Sequence, residues 1–293
     1  MTSSLLLLAG GAAAGLFGSL LGLGGGILIV PMLTLGLGVP LREAVAVSLV
    51  SVIVTSSASA GVYLQRHVAN LRLGMALEVF TAAGALVGGM IAFLIEERVL
   101  AGLFALLMVW VLVSMLRRRD PAPASSPVSV SSPAPTAAAP APSAHDDTDA
   151  APSVPPVERS FTASLSGAGY HVRRYPMGIA GSLFAGLVSA LLGVGGGIVK
   201  VPVMHLVMGV PLKVATATSN MMIGITATSS AVIYLLRGGI DPYLAGPTAL
   251  GVFVGASIGS RVAGRIHVRL LRWLFAIVVG YTAFEMAMRA LGL

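Results

Sequence analysis

Long apolar stretches separated by short polar loops dominate the chain. Four lie in the first part, at residues 4–35, 43–65, 73–95 and 99–116, and four in the second, at residues 176–208, 214–236, 243–264 and 270–291. A helix needs about 20 mainly apolar residues to cross the hydrocarbon core of a bilayer. The pattern therefore predicts an all-α, polytopic transmembrane protein.

The first apolar stretch of each half does not fit a single crossing. Residues 4–35 carry no charge over 32 positions, which is too long for one crossing and short for two. Pro31 and the glycine-rich residues 22–26 interrupt the stretch, and both residue types disfavour continuous helix. We therefore expect two half-helices that meet at a Gly-rich break and form a hairpin.

An internal repeat with a fixed offset of 171 residues relates the two parts of the chain. The segment from Gly15 to Pro31 aligns with the segment from Gly186 to Pro202, and eleven of the seventeen positions are identical. The register continues without a gap beyond both segments. The chain is therefore a duplicated unit, and we expect transmembrane repeats at 1–116 and 175–293.

The segment between the repeats, residues 117–174, has a different composition. Ten of the chain's 17 prolines fall between Arg117 and Ser160, among many alanines and serines. Such a segment cannot bury enough apolar surface to fold by itself. We expect a disordered, Pro/Ala/Ser-rich linker.

The distribution of basic residues depends on whether the Gly-rich stretches cross the membrane. If all eight stretches cross once, nine basic residues fall on one side and seven on the other, whereas hairpins that return to their own side give twelve against four. Only the second count shows the excess of Lys and Arg that marks cytoplasmic loops. It predicts inverted repeats, with both termini outside and the linker in the cytoplasm.

Composition narrows the class of protein further. Hydrophobic residues make up 56% of the chain and charged residues 10%, with a mean hydropathy of +0.92, which excludes an ordinary soluble enzyme. The net charge of +7 reflects basic loops, and the chain has no cysteine for a disulfide or thiolate metal site. We expect no enzyme activity, no cofactor, no metal site and no nucleic-acid partner.

The two Gly-rich breaks are candidates for a substrate site. Interrupted helices at mid-membrane offer backbone N–H groups and helix N-termini to anions, although close helix packing through small residues is the alternative. Hydroxyl and amide groups at the start of the next helix would add neutral donors. The predicted binding residues are Gly24, Gly25, Gly26, Ser48, Gly195, Gly196, Gly197, Lys200, Thr218, Ser219 and Asn220.

Four ionisable residues within the apolar stretches are candidates for function. Lys200, which stands opposite Ile29 in the repeat, is expected to be the only full charge near the anion, unless its side chain snorkels to the interface. We expect Lys200→Met to leave the fold intact. His205 and Glu78 are candidates for proton coupling, as is Glu285; a packing or interfacial role is the alternative for His205, and both glutamates lie near predicted helix ends.

The doubled motif GxxxxLLGxGGGxxxVP, followed by Pro, a basic residue and a helix start rich in Ala, Thr and Ser, resembles the TauE/SafE family of membrane transporters, the sulfite exporter family. The likeness covers both halves but not the linker. It implies that the Gly-rich breaks and the Thr-Ser stretch form the central region. The first half has Val47 and Leu49 where the second has Thr218 and Asn220, so we expect unequal half-sites.

The resemblance implies a secondary transporter of the bacterial inner membrane that moves a small anion by alternating access. The expected substrates are sulfite, a related sulfur oxyanion, an organosulfonate or a small carboxylate. An anion channel or facilitator of the same fold is one alternative, and a membrane sensor or scaffold that acts through the linker is another. The lipid bilayer is the other expected partner, and a homo-oligomer is compatible with this interpretation.

Overall fold

A computed structural model describes residues 2–21, 24–65, 69–117, 165–166, 170–262 and 268–291. The helices are α1 Thr2–Leu21, α2 Gly26–Pro31, α3 Leu41–Gln65, α4 Leu71–Ala92, α5 Glu97–Arg117, α6 Tyr175–Leu192, α7 Gly197–Pro202, α8 Leu212–Leu236, α9 Pro242–Val262 and α10 Val268–Leu291. The helices α2 and α7 continue into π-helical turns, Met32–Gly36 and Val203–Val207. Each helix of the first half thus has its counterpart five helices later, as the repeat predicts.

Six helices are long and apolar enough to cross a membrane within the described part of the chain. Their apolar sections are Leu41–Ala58, Leu71–Ala92, Glu97–Ser114, Tyr175–Leu192, Val214–Leu236 and Pro242–Arg261. Many large apolar side chains on these helices are exposed, among them Leu106 and Leu236. Since a bilayer would cover such a surface, the prediction of an all-α polytopic membrane protein is confirmed.

Both Gly-rich breaks are present, and each is followed by a returning helix. Gly25 and Gly196 precede α2 and α7 with φ angles of 75° and 71°, a left-handed region that favours glycine. The helix α2 runs back along α1, because Gly18 adjoins Gly25 and Gly10 adjoins Met32. The predicted hairpin is therefore observed.

The two arms of this hairpin are unequal, which corrects the expectation of two half-helices. The first arm, α1, has 20 residues, or about 30 Å of helix, whereas α2 and its π-helical turn have 6 and 5 residues. The single glycines of α1 do not break the helix, because several of them lie at contacts with neighbouring helices. Only the run of glycines interrupts it.

The two halves interlock through their first helices. The helix α1 packs along α9 of the second half, and α6 packs along α4 of the first. A Cβ atom added at Gly255 would lie 1.9 Å from the carbonyl oxygen of Ala12, and one added at Gly84 would lie 2.1 Å from that of Leu183. Glycine is therefore required at both repeat-equivalent contacts, where the helix backbones touch.

Helices that are equivalent in the repeat also contact each other. Between α5 and α10, Gly102 lies against Ala290, and Gly280 lies against Leu112. These two helices therefore run antiparallel, and α3 packs against its counterpart α8. Opposite directions of equivalent helices are what an inverted repeat requires.

Three arginines tie together the loops at one end of the bundle. Arg42 donates a hydrogen bond to the carbonyl oxygen of Ile95, and Arg289 donates to that of Thr34 at 2.8 Å. The guanidinium group of Arg237 lies over an aromatic ring of the α4–α5 loop. Four segments therefore lie together, as the hairpin topology predicts: the end of the first hairpin, the α4–α5 loop, the α8–α9 loop and the end of α10.

The last residues of the predicted linker pack against the opposite end of the bundle. Asn70 donates from Nδ2 to the carbonyl oxygen of Leu165 and to the hydroxyl of Tyr170, at 2.8 Å each. Leu165 and Val172 are buried in an apolar cluster. The expected disorder therefore does not hold for these residues, because their apolar side chains join the core, while residues 118–164 lie outside the described part.

Gly255→Ala is expected to lower the stability of the bundle. The added methyl group would overlap the backbone of Ala12, and overpacking costs about 1–3 kcal/mol. Gly246→Ala on the same helix is the matched control, since nothing lies within 4 Å of its Cβ position. Thermal unfolding in detergent should show a lower Tm for Gly255→Ala alone. An equal Tm for both variants would contradict the close contact between α1 and α9.

Candidate functional site

The two Gly-rich breaks meet at the centre of the bundle. Gly24 and Gly195, which are equivalent in the repeat, both lie against Ile223 of α8. A Cβ atom at Gly26 would lie 2.3 Å from the carbonyl oxygen of Gly193. The structure therefore brings together the glycines that the sequence assigns to the substrate site.

Several of the predicted hydroxyl donors already serve the protein backbone. Ser48 donates from Oγ to the carbonyl oxygen of Gly193 at 2.7 Å, and Thr218 Oγ1 accepts a hydrogen bond from the backbone N–H of Asn70 at 2.9 Å. Asn220 is buried near the breaks. These residues lie where the sequence predicts, but Ser48 would have to exchange a partner in order to bind an anion.

Two other hydroxyls beside the second break have no partner. Ser189 and Ser219 are fully buried, and their Oγ atoms make no hydrogen bond within the described structure. The Ser219 hydroxyl lies 3.4 Å from the Cβ position of Gly197, and Ser189 adjoins Gly196. An unsatisfied buried polar group costs about 1–3 kcal/mol, so a polar ligand at this break would gain two ready partners.

Ser189 was not among the residues predicted from the sequence. The signal for it is weak, because a single serine in an apolar helix usually bonds to its own backbone. The repeat gives a second hint, since the equivalent position is Gly18 and the hydroxyl is therefore present in one half only.

The region between the breaks is closed in this conformation. A cavity at the first break, lined in part by Gly24, Thr55 and Asn220, has a volume of about 10 Å³. This is about the space that one water molecule requires. An oxyanion would therefore need a movement of the hairpins before it could enter.

Lys200 lies in a ring of hydrogen bonds inside the bundle. Its side chain is 1% exposed, and Nζ donates to Glu78 Oε2 at 2.9 Å and to Thr226 Oγ1 at 2.6 Å. Thr226 Oγ1 in turn donates to Glu78 Oε1 at 2.6 Å. We refer to these three side chains, from α7, α4 and α8, as the Lys–Glu–Thr cluster.

The cluster corrects two expectations about Lys200. The ammonium group does not snorkel to the interface, because it is buried together with its partners. It is also not the only full charge in the region, since the Glu78 carboxylate neutralises it. The sequence could not show this pairing, because the two residues are 122 positions apart and belong to different halves.

The ion pair of the cluster, formed between the two halves, has no counterpart at the repeat-equivalent positions. The positions equivalent to Lys200 and Glu78 hold Ile29 and Ala249. A buried ion pair is weak support for stability because of its desolvation cost, and ionisable groups at membrane depth commonly mark ion pathways. The asymmetry therefore points to a role that the fold itself does not need.

His205 has a different environment. It lies half-buried in the π-helical turn after α7, and Nδ1 is 2.9 Å from the carbonyl oxygen of Val210. When it makes this hydrogen bond, Nδ1 carries the proton. The contact supports the packing alternative, because it fixes the turn that leads into α8.

Comparison with known proteins places the chain in a family. Residues 7–286 match the family described as sulfite exporter TauE/SafE. The chain belongs to this family. It is 25% identical over 284 residues to the probable membrane transporter protein YunE of Bacillus subtilis strain 168, with 94% of each chain covered. The resemblance seen in the sequence is thus confirmed.

A second relative is much longer than this chain. The probable membrane transporter protein MamO of Paramagnetospirillum magneticum is 28% identical over 290 residues, which cover 94% of this chain but 43% of MamO. No solved structure matches. Together with its apolar helices, the family identifies the protein as a multi-pass membrane transporter.

In this TauE/SafE transporter, cavities approach the centre from both ends. At the end where the arginines tie the loops together, Arg98, Arg289 and Thr34 help to line a cavity of about 320 Å³. At the linker end, a cavity of about 40 Å³ reaches Glu78 past Thr218. Each end therefore offers a start for a solvent path.

Lys200→Met is expected to destabilise the protein, contrary to the expectation from the sequence. The substitution leaves the buried carboxylate of Glu78 unpaired, and breaking a buried ion pair costs about 3–5 kcal/mol. The double variant Glu78→Gln/Lys200→Met removes both charges and should recover most of this loss.

The stability of Lys200→Met and of the double variant can be measured by denaturation in detergent, with the folded fraction determined by size-exclusion chromatography. The loss in Lys200→Met should shrink at acidic pH, because a protonated Glu78 no longer carries an uncompensated charge. A single variant as stable as the wild type at neutral pH would show that the ion pair is absent in solution.

Proposed function

We propose that the protein is a secondary transporter that moves a small anion across the membrane by alternating access of two inverted halves. The observation that carries the proposal is the meeting of the two Gly-rich breaks against α3 and α8, which are equivalent in the repeat. Substrate sites of transporters with inverted repeats lie at such interrupted helices near mid-membrane. Rocking of one half against the other would expose this region to each side in turn.

The chemistry around the second break favours an anion. Ser189 and Ser219 offer hydroxyl donors that no other group uses within the described residues, and Lys200 supplies an ammonium group nearby on α7. Neutral donors can replace the water shell of an oxyanion and still release it. The proposed substrates are sulfite, a related sulfur oxyanion, an organosulfonate or a small carboxylate.

The proposed site contains the glycines of both breaks, but its polar donors come mainly from the second half. Ser48 already bonds to Gly193, whereas its counterpart Ser219 is unpartnered within the described structure. The half-sites are thus unequal. We assign the anion to the second break, next to Ser219 and Gly197.

The proposed orientation follows from the basic residues. Twelve Lys and Arg residues fall at the linker end and four at the opposite end when the Gly-rich stretches are hairpins. Because basic loops remain in the cytoplasm, we place the linker in the cytoplasm of a bacterial cell and both termini outside. The bundle contacts that group the loops at each end support this topology.

Ser219→Ala is expected to weaken anion binding without loss of stability. The hydroxyl has no partner to lose, whereas a hydrogen bond to a charged group is worth about 1.5–3 kcal/mol, which corresponds to at least tenfold in affinity. Ser57→Ala is the control, because this exposed hydroxyl bonds to its own helix at Ile53. Counterflow in proteoliposomes, screened with sulfite, thiosulfate, sulfoacetate, acetate and chloride, gives the measurement.

The same assay separates the proposal from its alternatives. A carrier gives counterflow, a channel gives conductance without it, and a scaffold gives neither. Counterflow that is equal in Ser219→Ala and the wild type would remove Ser219 from the site.

The orientation can be tested by labelling single cysteines, since the native chain has none. An impermeant thiol reagent applied to intact cells should label cysteines at positions 2 and 292 but not at 140. Permeabilised cells, in which all three positions should react, provide the control. Labelling of position 140 in intact cells would overturn the proposed topology.

A further inference from the structure

We propose that the Lys–Glu–Thr cluster couples each transported anion to one proton. In this exchange the anion replaces the Glu78 carboxylate as the partner of Lys200, and the released carboxylate binds a proton. The inference rests on the proposed function and deepens it, because it names a second transported ion and the residue that carries it.

The Lys–Glu–Thr cluster lies on the same face of α8 as the proposed anion site. Ser219 and Thr226 are seven residues apart on α8, which is two turns, or about 10 Å, along the helix. Both face α7, since Ser219 adjoins Gly197 and Thr226 bonds to Lys200. An anion beside Ser219 therefore meets the ammonium group only when Lys200 leaves its partners in the cluster, as the proposed exchange requires.

Anion binding would change the net charge of the Lys–Glu–Thr cluster. The cluster is neutral while Lys200 and Glu78 are paired. An anion on Lys200 would leave the cluster with a net negative charge inside the bundle, where an uncompensated ion is costly. One proton on a Glu78 carboxylate oxygen restores neutrality when the anion carries a single charge, and it offsets one of the two charges of a dianion. An O–H bond forms there, and no redox partner is required.

Lys200 is the charged group that controls the protonation of Glu78. Glu78 is surrounded by α6, α7 and α8, and in the described part of these helices Lys200 is the charged side chain that faces it. Among the charged side chains described at this end, Arg72 on the same helix and Arg173 and Arg174 before α6 are exposed. A change at Lys200 therefore acts directly on protonation of Glu78.

The proton needs a route between Glu78 and one side of the membrane. Glu78 shares a cavity of about 40 Å³ with Asn70 and Thr218, which lie towards the linker end of the bundle, and the rest of its lining is mainly apolar. Thr226 donates to Oε1 and Lys200 donates to Oε2, so either oxygen becomes available when its partner moves. In this conformation we expect the proton to exchange with the linker side.

The stoichiometry follows from the asymmetry of the repeat. The repeat-equivalent positions of Lys200 and Glu78 hold Ile29 and Ala249, whose side chains cannot bind a proton or an anion. One cluster therefore carries one proton in each cycle.

The test uses full-length protein in liposomes that contain a pH-sensitive dye, with thiosulfate and sulfoacetate as probes because neither takes up protons near neutral pH. An inward anion gradient should acidify the lumen of wild-type liposomes, with one proton for each anion. In Glu78→Gln the ratio of protons to anions should fall to zero. Glu285→Gln, a half-buried carboxylate on α10, is the matched control and should keep the wild-type ratio.

A second measurement does not depend on the folding of a variant. Addition of thiosulfate or sulfoacetate to the wild-type protein in weakly buffered detergent should raise the pH, because the protein takes up one proton for each anion bound. Net anion uptake without acidification, or anion binding without proton uptake, would overturn the coupling and leave the transporter proposal intact. Absence of counterflow with every anion screened would overturn the proposed function, and the coupling with it.

Discussion

The fold depends on the close approach of helix backbones through glycine. Within a bilayer the hydrophobic effect does not drive helices together, so packing at short range has to hold them. Here Gly255 meets Ala12 and Gly84 meets Leu183, at contacts that leave no space for a methyl group. Each half thereby holds the first helix of the other, and this exchange brings the two Gly-rich breaks together at the centre. A looser contact would separate the breaks and divide the site.

Polar groups inside the bundle follow a second constraint, which is that each needs a partner where water is scarce. Most of the buried threonines and serines donate to a carbonyl of their own helix, as Thr81 does to Leu77. The Lys–Glu–Thr cluster meets the same requirement with three side chains from three helices. Three buried polar atoms make no hydrogen bond within the described structure, namely Arg42 Nε and the hydroxyls of Ser189 and Ser219. Both hydroxyls adjoin the second break, where the substrate is proposed to bind.

The sequence could predict the features that depend on local chemistry. Glycine runs mark the breaks, a fixed offset reveals the repeat, and a lysine in an apolar stretch stands out wherever its partner lies. Features that depend on contacts between halves could not be predicted, and Glu78 shows the limit: it is recognisable as an unusual residue, but its pairing with Lys200 requires the packing of α4 against α6 and α8. The length of α1 was missed for a similar reason, because its single glycines serve the contact with α9 rather than a bend.

Because the ion pair of the cluster has no counterpart in the repeat, the two halves of the protein are not equivalent in free energy. Two identical halves in an inverted arrangement would give inward-facing and outward-facing states of equal free energy, because each state would be the mirror of the other in function. Ile29 and Ala249 opposite Lys200 and Glu78 would remove that equality in the proposed alternating-access cycle, because only one of the two states would expose the ion pair to water. The populations of the two states would then differ even without substrate.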